Sequence, residues 1–411
     1  MAQMLSVEEA RGRILDHIRP LTAEEVPLPG ALGRILAEDA IAGEALPPFT
    51  NSAMDGYAVR SADTAGGSPE SPVRLRLVGE VPAGQVYSGT LRPGEALRIL
   101  TGAALPDGAD SVLEQERTRT EEGVVDLLAE VSPGTNTRPS GDDVRPGALL
   151  AARGSEVGPA ELALLAALGI HPIRVTRRPT VAIVSTGDEL APLGETPKAG
   201  QIRESNGPYL AAVVERAGAT ALRLGVARDR VDDIRRLLDE ASSADLILTS
   251  GGVSVGDYDL VKQILTERGQ IDFWRVRMRP GKPLAFGMIG ETPVLGLPGN
   301  PVSAAVTFEL FGRPALRKLL GCRQVERPTA EVVLDGEDIE RADRRHFVRA
   351  SLRSRGGTLV ATPTGDQGSH RISSLTGATA LLVIMEGEGT VHAGDHLPAI
   401  LLNDAGMPWG S

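Results

Sequence analysis

The segment from Asp245 to Asn300 leaves this chain few choices of fold. Twice it sets an apolar run before a glycine-rich turn and a helix-forming stretch. Leu246-Ile247-Leu248 is short, apolar and partly β-branched, as a strand buried on both faces is. It ends in Thr249-Ser250-Gly251-Gly252-Val253-Ser254-Val255-Gly256-Asp257, after which Leu260, Val261, Ile264 and Leu265 recur at helical spacing, with Gly269 placed to cap that helix. The second unit has Val294-Leu295-Gly296-Leu297 as strand, Pro298-Gly299-Asn300-Pro301 as turn, and Val302 to Leu310 as helix, with Asn300 as N-cap and Pro301 at N1. Strand, turn and helix in that order direct backbone N–H groups and a helix N-terminus at one place, which suits phosphate or another oxyanion. Glycine turns alone punctuate any α/β protein. Here Asp257, Asp259, Arg279 and Lys282 lie between the two turns, a set of acids and bases that ordinary loops do not need.

The same alternation begins earlier. Thr180-Val181-Ala182-Ile183-Val184 leads into the turn Ser185-Thr186-Gly187-Asp188-Glu189, and helix-like Pro208 to Arg216, strand-like Ala221 to Val226 and helix-like Val231 to Ala241 follow. Ligands of open α/β sheets bind at the carboxyl ends of strands, where Asp188, Glu189, Asp229, Asp257 and Asp259 all fall. Ahead of this region, Ser6-Val7-Glu8-Glu9 is a capping box opening a helix with Val7, Ala10, Ile14 and Ile18 on one face. Short β-like runs fill the interval from Val73 to Val131, and Pro159 to Leu168 forms a second helix with proline at N1. After Arg327 helical periodicity gives way to short β runs between glycine-rich breaks. The predicted fold is multidomain α/β plus β. A mixed helical N-terminal domain is discontinuous (1–46 and 142–178), a β domain is inserted in it (47–141), a doubly wound α/β domain follows (179–327), and a C-terminal β barrel-like domain closes the chain (328–411).

Composition narrows the function. The 411 residues are too many for one ordinary domain, and no apolar run approaches the roughly 20 residues that span a bilayer. The first residues lack the basic and apolar regions of a secretory signal, so a cytoplasmic protein is expected. A single cysteine, Cys322, excludes an internal disulfide and a multi-cysteine metal cluster. The net charge of −11 and scarce aromatics argue against nucleic-acid binding. Glu189, Asp229, Asp257 and Asp259 are hard oxygen donors that suit Mg²⁺ rather than zinc; as an alternative, Asp229 and Asp257 serve as helix caps. Arg275, Arg279 and Lys282 add positive charge on a loop stiffened by proline. His392 and His396 have Gly394 between them in β-like sequence, which disfavours a zinc site, and Ser185, Ser250 and Ser254 have no local histidine to make a catalytic triad.

The polar and rigid stretch Pro48-Phe49-Thr50-Asn51-Ser52-Ala53-Met54-Asp55-Gly56-Tyr57-Ala58 is unexplained by composition; a turn in which Asn51 and Asp55 satisfy their own backbone is the plain alternative. Taken with Ser185-Thr186-Gly187-Asp188-Glu189-Leu190, Ser250-Gly251-Gly252-Val253-Ser254-Val255-Gly256 and Leu297-Pro298-Gly299-Asn300-Pro301-Val302-Ser303, it resembles the molybdopterin molybdenumtransferases, the bacterial MoeA-type enzymes and the C-terminal region of gephyrin. The resemblance runs the length of the chain in order. It implies an enzyme that inserts molybdenum from molybdate into adenylylated molybdopterin with Mg²⁺ and releases AMP. It further implies a homodimer with shared active sites and contact with a molybdopterin adenylyltransferase. By motif position, Asp55, Thr101, Glu189, Asp229 and Asp259 correspond to catalytic residues, and Glu189, Asp229, Asp257 and Asp259 to the metal set. Ser250, Gly251, Gly252, Ser254, Gly256, Arg275, Arg279, Lys282, Pro298, Gly299, Asn300, Pro301, Arg349 and Ser369 correspond to substrate-binding residues. Thr50 stands where the family often has Asp, and Arg275 where it often has Lys. A non-catalytic scaffold like gephyrin and a nucleotide hydrolase sharing only the α/β domain are the rival readings.

Overall fold

The computed structural model describes residues 4–252, 264, 267 and 271–403, of which 271–274 by their backbone alone. The helix expected after Gly256 lies outside them. Seven strands form the central sheet, in the order Met4–Leu5, Ile271–Val276, Pro283–Ile289, Thr292–Leu297, Leu246–Ser250, Thr180–Thr186 and Thr220–Ala227. The last four of these pair in parallel, and Pro283–Ile289 runs antiparallel to both of its neighbours. Side chains alternate between the two faces of this sheet. Val181, Ile183, Leu246 and Leu248 enter one core while Ala182, Val184 and Ile247 enter the other, which is why these strands are apolar at nearly every position.

Helices cover both faces. We label them α1 (Val7–His17), α2 (Pro159–Ala167), α3 (Asn206–Arg216), α4 (Val231–Ala241), α5 (Pro301–Thr307) and α6 (Arg313–Leu319). On α4, Ile234, Leu237, Leu238 and Ala241 recur at helical spacing and fill one core. On the opposite face α3 and the α5 to α6 run pack with α1. The Ser6 capping box is present, with Ser6 Oγ accepting from the Glu9 N–H at 3.1 Å and the Glu9 carboxylate accepting from the Ser6 N–H at 2.8 Å. By sequence position the helix it opens falls in the N-terminal unit (1–46). In the structure Val7, Ala10 and Ile14 belong to the α/β core, and Met4–Leu5 is an edge strand parallel to Arg275–Val276. An amphipathic face announces burial but not its partner. The helix expected over Val302 to Leu310 also continues further, passing through a π-helical turn at Phe308–Gly312 into α6. Pro314 has no N–H to give Leu310, so the backbone widens one turn earlier.

In the N-terminal part, distant segments pair. Ala23–Val26 lies antiparallel to Ile173–Thr176, and Ala40–Ile41 to Leu149–Ala151. A six-stranded sheet draws all its strands from residues between Gly56 and Leu127. Its strand Gly56–Val59 lies between Glu95–Ile99 and Ser111–Glu114, and a Cβ on Gly56 would lie 2.1 Å from the Leu113 carbonyl oxygen, so only glycine fits there.

The C-terminal strands Thr329–Leu334, Arg345–Arg355, Thr358–Pro363, Ala380–Ile384 and His396–Leu401 close on themselves as a five-stranded barrel. Met278–Arg279, just after a strand of the central sheet, pairs in parallel with Arg345–His346 of the barrel. The segment carrying Arg279 and Lys282 is thereby stitched between the two units. The linker into the barrel is fixed by a buried ion pair, Arg327 Nε to Glu309 Oε2 at 2.5 Å, with side chains 6% and 8% exposed. No described helix is long and apolar enough to cross a membrane. Removing Glu309 withdraws the carboxylate that accepts from Arg327 Nε and Nη2. Glu309→Ala is therefore expected to destabilise the fold by about 3–5 kcal/mol, read as a lowered denaturant midpoint; an unchanged midpoint would show that the linker is held by other contacts.

Candidate active site

At the carboxyl ends of Thr180–Thr186, Leu246–Ser250 and Thr292–Leu297 the sheet opens into a cavity of about 690 Å³. Glu189, Asp229, Ser250, Gly251, Gly252, Pro298, Gly299, Asn300 and Pro301, all anticipated from the sequence, line it. The two glycine turns meet face to face: a Cβ on Gly299 would lie 3.7 Å from Gly251 Cα, and the Gly251 N–H donates to the Leu297 carbonyl at 3.1 Å. A second cavity of about 540 Å³ is lined by Arg279, Gly281, Lys282, Arg344 and Ser369, among others. Pro283 and Ser303 belong to the walls of both, so the acidic glycine-turn cavity and the basic one adjoin.

Two polar residues of this site escaped the sequence reading. Asn206 Nδ2 donates to Ser250 Oγ and to the Gly299 carbonyl, each at 2.7 Å, and so ties the two glycine turns together. Glu204, 5% exposed, accepts from Ser185 Oγ at 3.1 Å and from the Gly207 N–H at 2.5 Å. Their only signal was a polar Glu204-Ser205-Asn206 run ahead of an apolar helix, which reads as a helix start. Asp229, by contrast, is not the cap of α4: Arg230 holds that position and makes no side-chain capping bond. The Asp229 N–H donates to Asp188 Oδ1 at 3.4 Å, and its carboxylate is exposed on the cavity wall.

The N-terminus of α5 departs from the expectation of free donors facing an anion. Its Val302 N–H is taken by the Ser369 carbonyl at 3.2 Å, and Asn300 Nδ2 donates to Ser369 Oγ at 3.1 Å, so this end of the helix holds a barrel loop. Arg349 does not line the cavity either. It is fully buried behind that loop, donating from Nη2 to the Asp366 and Gly368 carbonyls at 3.3 Å, while its Nη1 has no hydrogen-bond partner. Burial pulls Arg349 down to about 10, so it remains cationic at neutral pH. His346, across from Arg279, has neither ring nitrogen bonded and is pushed down to about 4 by burial and by the charges of Arg279 and Arg349. Arg275 is exposed and lines neither cavity. Asp55 accepts from the Thr101 N–H at 2.7 Å and Oγ at 2.6 Å, bonds that hold its carboxyl below its ordinary value; this pair is exposed on the N-terminal β unit and borders neither cavity. Ser254, Gly256, Asp257 and Asp259 lie outside the described residues.

Glu189 and Asp229 bring hard oxygen donors to the cavity, which suits Mg²⁺. Among the described residues no three acid, histidine or cysteine side chains gather closely enough to hold a metal by themselves.

Three family models match in sequence order: the MoeA N-terminal region (domains I and II) over residues 5–169, a probable molybdopterin binding domain over 182–318, and the MoeA C-terminal region (domain IV) over 334–402. Molybdopterin molybdenumtransferase 2 of Mycobacterium tuberculosis is 41% identical over 404 residues, covering 96% of this chain and 98% of that protein. The chain belongs to the molybdopterin molybdenumtransferase family. The Bacillus subtilis molybdopterin molybdenumtransferase is 35% identical over 98% of this chain and 96% of its own length. A crystal structure of the Pyrococcus horikoshii molybdopterin biosynthesis MoeA protein superposes with a TM-score of 0.86 at 33% identity, covering 98% of this chain and all of that one. The multidomain fold, with its doubly wound sheet and C-terminal barrel, is thus that of MoeA.

In this family member Asn206→Ala is expected to cost about 1–3 kcal/mol, the worth of two hydrogen bonds, one to the buried Ser250 hydroxyl and one to the exposed Gly299 carbonyl. By releasing the two turns from one another it should lower the denaturant midpoint accordingly; a midpoint equal to the parent would remove that tie. His346 supplies a pH test. Its folded value lies below the ordinary 6.5, so the unfolded chain binds the extra proton and stability must fall as pH drops from about 6.5 towards 4. The loss is about 3 kcal/mol across that window, and His346→Phe should flatten the slope in denaturant titrations run at each pH.

Proposed function

We infer that the chain is a molybdenumtransferase of molybdenum cofactor biosynthesis, taking adenylylated molybdopterin and molybdate, placing molybdenum on the dithiolene sulfurs and releasing AMP. The single observation that carries this reading is the pair of adjoining cavities, one walled by glycine turns and carboxylates and the other by Arg279 and Lys282, in a member of this family. The Gly251 and Gly299 turns let the phosphate-bearing part of the substrate approach the backbone without a side chain intervening. Arg279 and Lys282 hold the molybdate dianion beside it, since fixed positive charge costs no reorganisation as the anion changes shape. Ser303, in the wall common to both cavities, stands where the two substrates meet.

Glu189 and Asp229, joined by Asp257 and Asp259, would hold Mg²⁺, which when bound neutralises charge on the phosphates of the leaving nucleotide. The reading includes cytoplasmic location and transfer of the substrate from a molybdopterin adenylyltransferase. It also places Asp55 and Thr101 at the site of a second copy of the chain, each homodimer forming two equal sites across its twofold axis. The motif around them is part of the family resemblance, and Phe49 and Met54 beside Asp55 are exposed apolar side chains.

The activity is tested by AMP release from adenylylated molybdopterin with molybdate. Lys282→Ala is expected to raise the molybdate requirement on the order of tenfold or more, as loss of a charged contact does, with the salt sensitivity of an anion site; an enzyme that releases AMP as before would refute the assignment. For the shared site, the inactive variants Asp55→Ala and Asp229→Ala are mixed under subunit exchange. Random exchange restores roughly a quarter of all sites if each is built from two copies, whereas continued inactivity after verified exchange would put Asp55 with its own chain's sheet.

A further inference from the structure

The barrel loop that meets the start of α5 also carries a histidine that none of the sequence motifs singles out. His370 is on the wall of the glycine-turn cavity, while Gly368 and Ser369 just before it are on the wall of the basic one, so the residue stands where the two adjoin. Among the described residues it is the one histidine on either wall. Its ring rests against Gly368: a Cβ there would lie 3.0 Å from His370 Cε1 and 3.3 Å from Asp366 Oδ1. The side chain is exposed, and among the described residues no hydrogen bond reaches either ring nitrogen. Both are open to a ligand.

The loop beneath the ring is fixed from three directions. Asp366 accepts from the Gly368 N–H at 2.8 Å and from Arg371 Nε at 3.0 Å. Buried Arg349 donates to the Asp366 and Gly368 carbonyls from behind, and Ser369 accepts from the Val302 N–H and from Asn300 Nδ2 in front. A loop histidine is ordinarily a solvated side chain, and that accounts for an exposed ring. It does not account for a buried guanidinium and a helix start holding the residues on which the ring is seated, nor for the ring's place on the cavity wall.

The transfer inferred above, on which this inference rests, requires protons to move. Two S–H groups and one molybdate dianion give two Mo–S bonds. One Mo–O bond breaks, the departing oxide takes both thiol protons and leaves as water, and molybdenum keeps its oxidation state. Glu189 and Asp229 are assigned to the metal, and Arg279 and Lys282 supply fixed charge. An imidazole accepts a proton on one nitrogen and releases one from the other, and does so near neutral pH. We propose that His370 is a catalytic proton relay for molybdenum insertion, taking each thiol proton on one ring nitrogen while the other nitrogen delivers one to the leaving oxide. The ring is neutral before and after each transfer, so no proton is gained or lost overall.

Insertion is followed in single turnovers at saturating molybdate by the absorbance of the Mo–S bonds. His370→Gln is expected to slow it about a hundredfold, as loss of a positioned acid–base group does, with the denaturant midpoint and the calorimetric affinity for molybdate unchanged. The parent rate should fall as pH drops through the window of about 8 to 5, since a protonated imidazole cannot accept, and His370→Gln should lose that limb. Asp366 and Arg371 in the loop, Glu189, Asp229, Glu204 and Arg203 around the cavity, and the bases of the adjoining one are common to both proteins, so the limb that disappears belongs to the imidazole. Added imidazole should restore part of the rate to His370→Ala, which a structural role would not produce. A rate within about threefold of the parent, a pH limb retained by His370→Gln, a loss confined to molybdate affinity, or no rescue by imidazole would each overturn the relay. If the parent releases AMP and Lys282→Ala is impaired, such a result removes the relay alone; a parent that releases no AMP removes the functional reading with it.

Discussion

The architecture turns on how closely three strand ends can approach one another, and Gly251 sets that limit. Its φ of +93° is one that side chains rarely adopt, and a Cβ there would lie 2.7 Å from the Thr186 carbonyl oxygen. Backbone therefore faces backbone where Thr180–Thr186, Leu246–Ser250 and Thr292–Leu297 end, and the site is walled by peptide groups before any functional side chain is added. The parallel strands can deliver their ends to one place because both faces of the sheet are buried, leaving the carboxyl edge as the outlet for polar chemistry.

Arg203, on the wall of the cavity at that edge, donates to the Glu195 carbonyl at 3.0 Å, and the fold brings further positive charge to the neighbouring one. The segment Arg279 to Lys282 leaves the sheet after Val276, forms a two-residue strand with the barrel and returns at Pro283. Gly281 makes this path possible: it has a φ of +97°, and a Cβ would lie 2.5 Å from Thr307 Oγ1 of α5. The basic cavity is consequently bordered by the sheet, α5 and the barrel loop at Ser369. Its shape depends on contacts between units as well as within them.

Legibility in the sequence followed the range of the interactions involved. Apolar strands buried on two faces, the Ser6 capping box and the helical face of α4 are written in a few adjacent residues, and each was readable. The glycine turns were readable for the same reason, since a turn is a local demand on the backbone. The partner of α1, the pairing of Met278–Arg279 with the barrel and the tie made by Asn206 depend on residues far apart in the chain, and no local pattern encodes them. Arg349 shows the limit of motif position. Sequence places it among substrate-binding residues, while its burial and its bonds to the 366–368 carbonyls make it a support for the loop that lines the cavity.

The end of α5 shows how tertiary contacts can redirect a local device. Pro301 at N1 and Asn300 before it form a helix start of the kind that ordinarily offers backbone donors to an anion. Here Ser369 consumes the Val302 donor and the Asn300 side chain, because the barrel loop must be satisfied where it meets the helix. With the Val302 donor taken, the charge in the neighbouring cavity is that of the side chains Arg279 and Lys282. The helix terminus keeps its directional chemistry but spends it on joining two units, and the rigid Asn300-Pro301 turn becomes the fixed edge against which the basic segment is set.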